Sequence, residues 1–190
     1  MRTFLTLSFT VILALMLVGC AKYPQAEIDA AQAALNAAKQ AEADRYVPDL
    51  YNAAQKTLND ALALADKEKE AFFSNYDEAL KLFASTKEAA DNSANAVAAK
   101  KEEVKKEAEA LVARVPEEVK NAKKMWQKAP RGKGTREALA AIKADIEAQE
   151  KAVEDVNATL TAGDFLTARQ KAQAIVDKLL ALQAELQPKK

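Results

Sequence analysis

Apolar residues recur every three or four positions along most of this chain, and prolines and glycines cut that pattern into helix-length pieces. The clearest piece is the last. Leu139, Ile142, Ile146, Gln149, Val153, Val156 and Leu160 keep an unbroken three-four spacing up to Gly163. Asp164 then stands as a cap, and Phe165, Ala168, Ala172, Ile175, Leu179, Leu182 and Leu186 continue the same spacing. Folded back at Gly163, the two stripes face each other, with Leu160 against Phe165, Val153 against Ala172 and Ile146 against Leu179. Upstream, the spacing predicts a helix from about Gln25 to Arg45, with Ile28, Ala31, Leu35 and Ala38 as its seam, and a second from Pro48 to about Phe72. Asn75 is placed to cap a third, in which Tyr76, Phe83, Ala90, Val97, Val104 and Leu111 recur every seven residues. Nothing breaks that run before Pro116, so about 40 residues would span roughly 60 Å. Its companion positions are read as Leu80, Lys87, Ala94, Lys101, Ala108 and Val115, a seam thinned by two lysines.

These patterns predict an all-α fold of antiparallel helical hairpins, as a bundle or elongated coiled coil, with one long central helix. Composition agrees: alanine dominates, charged residues make up 29%, and only 4 glycines and 5 prolines interrupt the chain. The expected organisation is a leader at 1–19, a tether at 20–24, a helical region at 25–115, a basic helix and loop at 116–134, and the hairpin at 135–190. A weak internal repeat accompanies it. Ser74 to Ala79 resembles Gly163 to Ala168 at an offset of 89, which also relates Leu50 to Leu139. Each hairpin would then carry a polar cap followed by an aromatic wedge. Gln149, the polar member of the last seams, falls opposite Ile175 and reads either as a register-setting group or as an edge residue reaching solvent.

The chain contains no histidine and a single cysteine, Cys20. Histidine-dependent triads and zinc sites built from His and Cys are thereby excluded, and no phosphate-cradling glycine loop occurs. Carboxylates alternate with lysines along helical faces, the usual pattern of solvated partners. No catalytic residue, metal ligand or cofactor is assigned, and the chain is expected not to be an enzyme. Formal charge is balanced at +0, which argues against a nucleic-acid partner.

Cys20 follows Arg2 and an apolar stretch from Phe4 to Val18, in the order expected of a secretion signal. The stretch is short for a spanning helix, which needs roughly 20 residues. Leu17-Val18-Gly19-Cys20 resembles the lipobox of bacterial lipoproteins, which implies that Cys20 is acylated and becomes the first mature residue. More than one acyl chain would give stable membrane attachment. Ala21, where Asp marks inner-membrane retention in enteric-type bacteria, implies the periplasmic face of an outer membrane.

One segment concentrates charge. Between Glu118 and Glu137 lie Lys120, Lys123, Lys124, Lys128, Arg131, Lys133 and Arg136 without an acid, together with the only tryptophan, Trp126. Cations near anionic head groups contribute about 1 kcal/mol each, and an indole suits an interface. Phospholipid, lipopolysaccharide phosphate or an acidic protein would each fit; otherwise Trp126 plugs a bundle end and the lysines form a solvated rim. At the other terminus, Lys190 resembles the residue through which some outer-membrane lipoproteins are joined to peptidoglycan.

Residues 24–99 also resemble a helical domain of unknown function found in bacterial envelope lipoproteins. The resemblance rests on Ala26-Glu27-Ile28 through Ala34-Leu35, Tyr46-Val47-Pro48 with Leu50 and Tyr51, Ala53-Ala54 with Thr57, Leu58 and Ala61, and Asn75 to Ala79. It implies a helical fold and an envelope location without an activity, and this chain departs from it by its long third helix and C-terminal hairpin. The expected role is a lipid-anchored, non-enzymatic periplasmic scaffold or adaptor, with an envelope protein as partner. The alternatives are a bundle that carries an apolar ligand and a peptidoglycan tether through Lys190.

Overall fold

The computed structural model describes residues 22–132 and 134–187. All regular structure among these residues is helical: α1 (Gln25–Gln40), α2 (Ala43–Tyr46), α3 (Pro48–Lys69), α4 (Asp77–Lys128), α5 (Arg136–Thr161) and α6 (Phe165–Glu185). They form helical bundles divided into two compact units, the first ending at Val97 and the second beginning at Ala98. α4 contributes its first part to one unit and the remainder to the other.

In the first unit, α1 and α3 bury narrow stripes. Ile28, Ala31, Ala34, Leu35 and Ala38 turn inward on α1, and Ala54, Leu58, Ala61 and Ala65 on α3. Alanine at these positions allows close approach and gives little width to the core. The expected helix over residues 25–45 stops at Gln40 instead. Glu42 adopts a left-handed conformation, φ 69°, and breaks the run before the single turn of α2. Pro48 opens α3 at its first turn, where its missing N–H would have had no helical partner.

The seam of α4 differs from the expected one in a specific way. Its buried positions are Ala79, Phe83, Thr86, Ala90, Ser93, Val97 and Val104, continuing from Tyr76 just before its start. After Tyr76, Phe83 and Ala90 the companion thus lies three residues on, not four, and Lys87 is exposed; after Val104 it is Ala108, four residues on, as expected. Two of these companions are polar but supply their own partners. The Thr86 hydroxyl donates to the Leu82 carbonyl at 2.8 Å, and Ser93 donates to that of Ala90 at 2.8 Å. Satisfied in this way, a hydroxyl in a helix seam avoids the cost of an orphaned polar group.

Beyond Val104 the buried positions become Ala108, Val115, Val119 and Ala122, with Trp126 packed beside them. Val104, Val115 and Trp126 are eleven residues apart, so the period lengthens from 3.5 to about 3.67 residues per turn. α4 also passes through Pro116, where a boundary is expected from the sequence. A proline inside a helix costs about 3 kcal/mol through its lost N–H and ring clash. Val115 and Val119 on either side are almost fully buried, and each such side chain stabilises by about 1.5–3 kcal/mol. Pro116 itself is exposed on the outer face. Burial outweighs the break.

The second unit joins that part of α4 to the expected hairpin. Ala168, Ala172, Ile175, Val176, Leu179 and Leu182 of α6 share one core with Ile146 and Val156 of α5 and with Val115, Val119 and Ala122 of α4. α6 buries both Ile175 and Val176 because it has two neighbours rather than one. Polar contacts keep the helices in register. Lys171 meets Asp155 at 2.7 Å and Lys178 meets Asp145 at 3.0 Å between α5 and α6, while Arg169 meets Glu107 at 2.7 Å between α6 and α4. Gln149 is half-buried at the edge of this core.

The turn at Gly163 forms as the sequence suggests. Gly163 has φ 82°, its N–H donates to Leu160, and that of Asp164 donates to Thr159. This is the six-to-one and five-to-two pattern of a Schellman cap. Asp164 then accepts hydrogen bonds from the N–H and the hydroxyl of Thr167. Leu50 and Leu139 do not share a core position, since Leu50 is 49% exposed, but the inward positions of the two units can be aligned at nearby offsets. Tyr51, Ala54, Leu58, Ala61 and Ala65 correspond to Leu139, Ile142, Ile146, Gln149 and Val153 at an offset of 88. Tyr76, Ala79, Phe83, Thr86, Ala90, Ser93 and Val97 correspond to Phe165, Ala168, Ala172, Ile175, Leu179, Leu182 and Leu186 at 89.

The two left-handed residues give opposite expectations. Gly163→Ala should destabilise by about 1–2 kcal/mol, because an L side chain in that conformation is strained. Glu42→Gly should stabilise by up to about 1 kcal/mol, the strain relieved exceeding the loss of an exposed ion pair worth a few tenths. Urea unfolding of each variant, followed by circular dichroism, measures both.

Candidate functional site

The basic segment ends in a structured turn between α4 and α5. Thr135 ties the loop together: its hydroxyl oxygen accepts from the Gly132 N–H at 2.9 Å and lies 3.2 Å from the Pro130 carbonyl. Trp126 packs against the core of the second unit, and its indole N–H donates to the Leu139 carbonyl at 2.6 Å. The tryptophan thus closes the end of the bundle and fixes the start of α5. Two cations lie near the ring, the Arg131 guanidinium at 5.1 Å and the Lys143 ammonium at 5.8 Å. Such contacts contribute about 0.5–1 kcal/mol each at exposed sites.

A groove forms here, lined by Trp126, Arg131, Arg136, Leu139, Ala140 and Lys143. Its floor is apolar and its rim carries three cations. Lys143 shares its charge with Glu147 at 3.5 Å. Guanidinium groups stay protonated and offer forked donors to carboxylate or phosphate. The groove therefore suits an anionic group attached to an apolar body.

The sequence-derived residues divide around this groove. Trp126 and Arg131 come together in it. Lys123 instead bridges to Glu150 on α5 at 2.6 Å, and Lys120 pairs with Glu117 at 3.6 Å. Lys124 and Lys128 are exposed on α4. Cys20, Lys133 and Lys190 lie outside the described residues. Lys143 was not visible from sequence as part of the patch. It lies about two turns inside α5, and only the reversal of the chain at the loop brings it back to Trp126.

A second polar feature is structural. Glu118 is buried among the helices of the second unit, where Arg114 donates to Oε1 at 2.8 Å and Gln183 of α6 donates to Oε2 at 2.9 Å. The same Gln183 amide lies 3.1 Å from the Glu118 backbone carbonyl. The Gln183 hydrogen bond holds the Glu118 carboxyl below its usual range, and Arg114 acts in the same direction against the opposing effect of burial. Both carboxylate oxygens are occupied, so the group clasps α4 to α6. Among the described residues, no cluster of His, Cys, Asp and Glu could hold a metal ion, and no helix is long and apolar enough to cross a membrane. No protein-family model, curated protein or solved structure matches the chain.

Trp126→Phe keeps the apolar plug but removes the indole donor, and should cost about 1 kcal/mol. It should also raise hydrogen exchange in the first turns of α5 more than in α6. For Glu118 the lowered folded-state pKa means that its stabilisation is present above the unfolded carboxyl range and is lost as pH falls through the folded value. Glu118→Gln should therefore be less stable than the parent at pH 7, by about 1–2 kcal/mol, and should lose less stability between pH 5 and pH 3. Chemical denaturation across that range checks the sign.

Proposed function

We propose that this chain is a lipid-anchored, non-enzymatic scaffold or adaptor of the bacterial cell envelope, held through Cys20 on the periplasmic face of the outer membrane. The observation that carries the adaptor half of this reading is the groove at the α4–α5 turn. There Trp126, Leu139 and Ala140 supply an apolar floor while Arg131, Arg136 and Lys143 supply positive charge. An acidic segment of an envelope protein, bearing at least one apolar side chain, fits that chemistry. Charge complementarity of this kind guides encounter and fixes register, and the acyl anchor would raise the local concentration of the groove at the membrane surface. The anchor half is supported by the lipobox resemblance at Leu17 to Cys20, and the envelope-lipoprotein resemblance of residues 24–99 points the same way.

Arg136 is exposed on the rim, so a photo-crosslinking residue there leaves the plug at Trp126 intact. Irradiation in the native envelope should yield one discrete protein adduct, lost when Arg131 and Lys143 are changed to Glu. Adducts to lipid alone, or only links within the chain, would overturn the adaptor reading. Cys20→Ser should move the protein from the membrane to the soluble fraction and abolish labelling by palmitate analogues. Retention on the membrane would sink the anchor.

A further inference from the structure

We infer that the turn between α3 and α4 is a membrane-contacting wedge, in which Phe72 and Phe73 sit in the interfacial layer of the bilayer that carries the acyl chains of Cys20; this rests on the anchor reading above. Single exposed apolar residues are ordinary on protein surfaces. This pair is not of that kind. Phe72 is 91% and Phe73 79% exposed, and their rings stack edge to face with centroids 4.8 Å apart. The stack makes one apolar knob at the tip of a helical hairpin.

The turn beneath the knob is ordered. The Glu68 carboxylate accepts the Asn75 N–H at 3.1 Å, and the Asn75 side chain accepts that of Asp77 at 3.0 Å. These bonds tie the end of α3 to the start of α4 and leave the two phenylalanines outside. A knob on a stapled turn loses little freedom when it is buried.

Tyr23 supplies the direction. Its hydroxyl donates to Asp66 at 2.9 Å, its ring meets that of Tyr76 edge to face at 5.8 Å, and the Lys69 ammonium lies 5.1 Å from the ring. Asp66 and Lys69 belong to the end of α3, and Tyr76 immediately precedes α4, so all three flank the phenylalanine turn. Tyr23 is therefore fixed at that same end of the first unit. Cys20 precedes it by three residues, a reach of about 10 Å at full extension. An acyl chain on Cys20 would bring its membrane to the end of the unit from which the phenylalanines protrude. Several acyl chains on Cys20 would already suffice for stable attachment; what the knob adds is orientation.

Charge decides which lipid suits it. Asp66, Glu68, Glu70, Asp77 and Glu78 surround the turn, against Lys67, Lys69 and Lys81, with Lys22 beside Tyr23 at the same end. This near balance supplies no net attraction to an anionic surface and argues for contact with zwitterionic lipid, driven by aromatic burial and insensitive to salt.

The test uses the acylated full-length mature protein with a spin label at Ser74, next to the intact pair; acylation leaves Cys20 without a thiol to label. On phosphatidylcholine vesicles the label should be accessible to oxygen and shielded several-fold from a nickel chelate, relative to a label at Asn59 in the middle of α3. Phe72→Ser with Phe73→Ser should return it to water, with helicity unchanged because both side chains are exposed. A label at Ala71 repeats the measurement should Ser74 disturb the turn. An aqueous label on protein that is acylated and floats with vesicles overturns the wedge and leaves the anchor standing. Absence of acyl mass on Cys20 overturns the anchor and the wedge together. Shielding that is already present without vesicles overturns the lipid contact and points to a protein occupant.

Discussion

Close approach of alanine-lined helices is the constraint on which the rest of this structure depends. Ala31, Ala38, Ala54, Ala61, Ala65, Ala79 and Ala90 in the first unit are almost wholly shielded from water. A seam of such small side chains offers little apolar area per residue, so helices must come near one another before dispersion and dehydration repay the entropy of ordering. Larger residues then act as local fillers. Phe83 takes that part in the first unit, and Ile146, Leu179 and Leu182 in the second. The narrow seam also leaves wide helical faces in water, where ion pairs such as Lys56–Asp60 and Lys87–Asp91 confer solubility and only a few tenths of a kcal/mol each.

The same constraint explains how α4 serves two units. A strict heptad carries its seam to Val104, after which the spacing lengthens and the helix meets α5 and α6 through Val115, Val119 and Ala122. Pro116 falls on the outer face of this second stretch. A helix standing alone would break there; one buried on both sides of the proline does not, because tertiary burial exceeds the local penalty. Glu118 follows two residues later, and its pairing with Gln183 and Arg114 secures the helix just past its weakest point.

The most distinctive surface chemistry of the described residues gathers at the turns where the seams end. At the α4–α5 turn, Trp126 is both plug and platform: its N–H is spent on Leu139 while its face receives Arg131 and Lys143. At the α3–α4 turn the two phenylalanine rings meet each other and are largely exposed. One turn gathers cations beside an apolar floor, the other lifts an apolar knob above a collar of mixed charge, and the two chemistries suit different surfaces. Both turns are stapled by side-chain hydrogen bonds, through Thr135 in one and Glu68 with Asn75 in the other.

Periodicity and punctuation were enough to determine the helical class, the C-terminal hairpin with its Gly163 reversal and Asp164 cap, and the long helix after Asn75, because these follow from local spacing and local capping. The choice between Leu80 and Ala79, or Lys87 and Thr86, as seam companions lay outside local reach. A hydroxyl that satisfies itself on its own helix can be buried as readily as an alanine, and only the neighbouring helix selects that face. Likewise the break at Glu42 and the continuation through Pro116 both run against backbone preference, and packing overrode it. Basic residues that looked like one patch were divided by the fold, with Lys123 drawn across to Glu150 and Lys143 brought in from beyond the loop. Sequence set which residues carry charge and which carry apolar surface; the tertiary structure decided which of them meet, since a chain reversal joins positions that no local spacing relates.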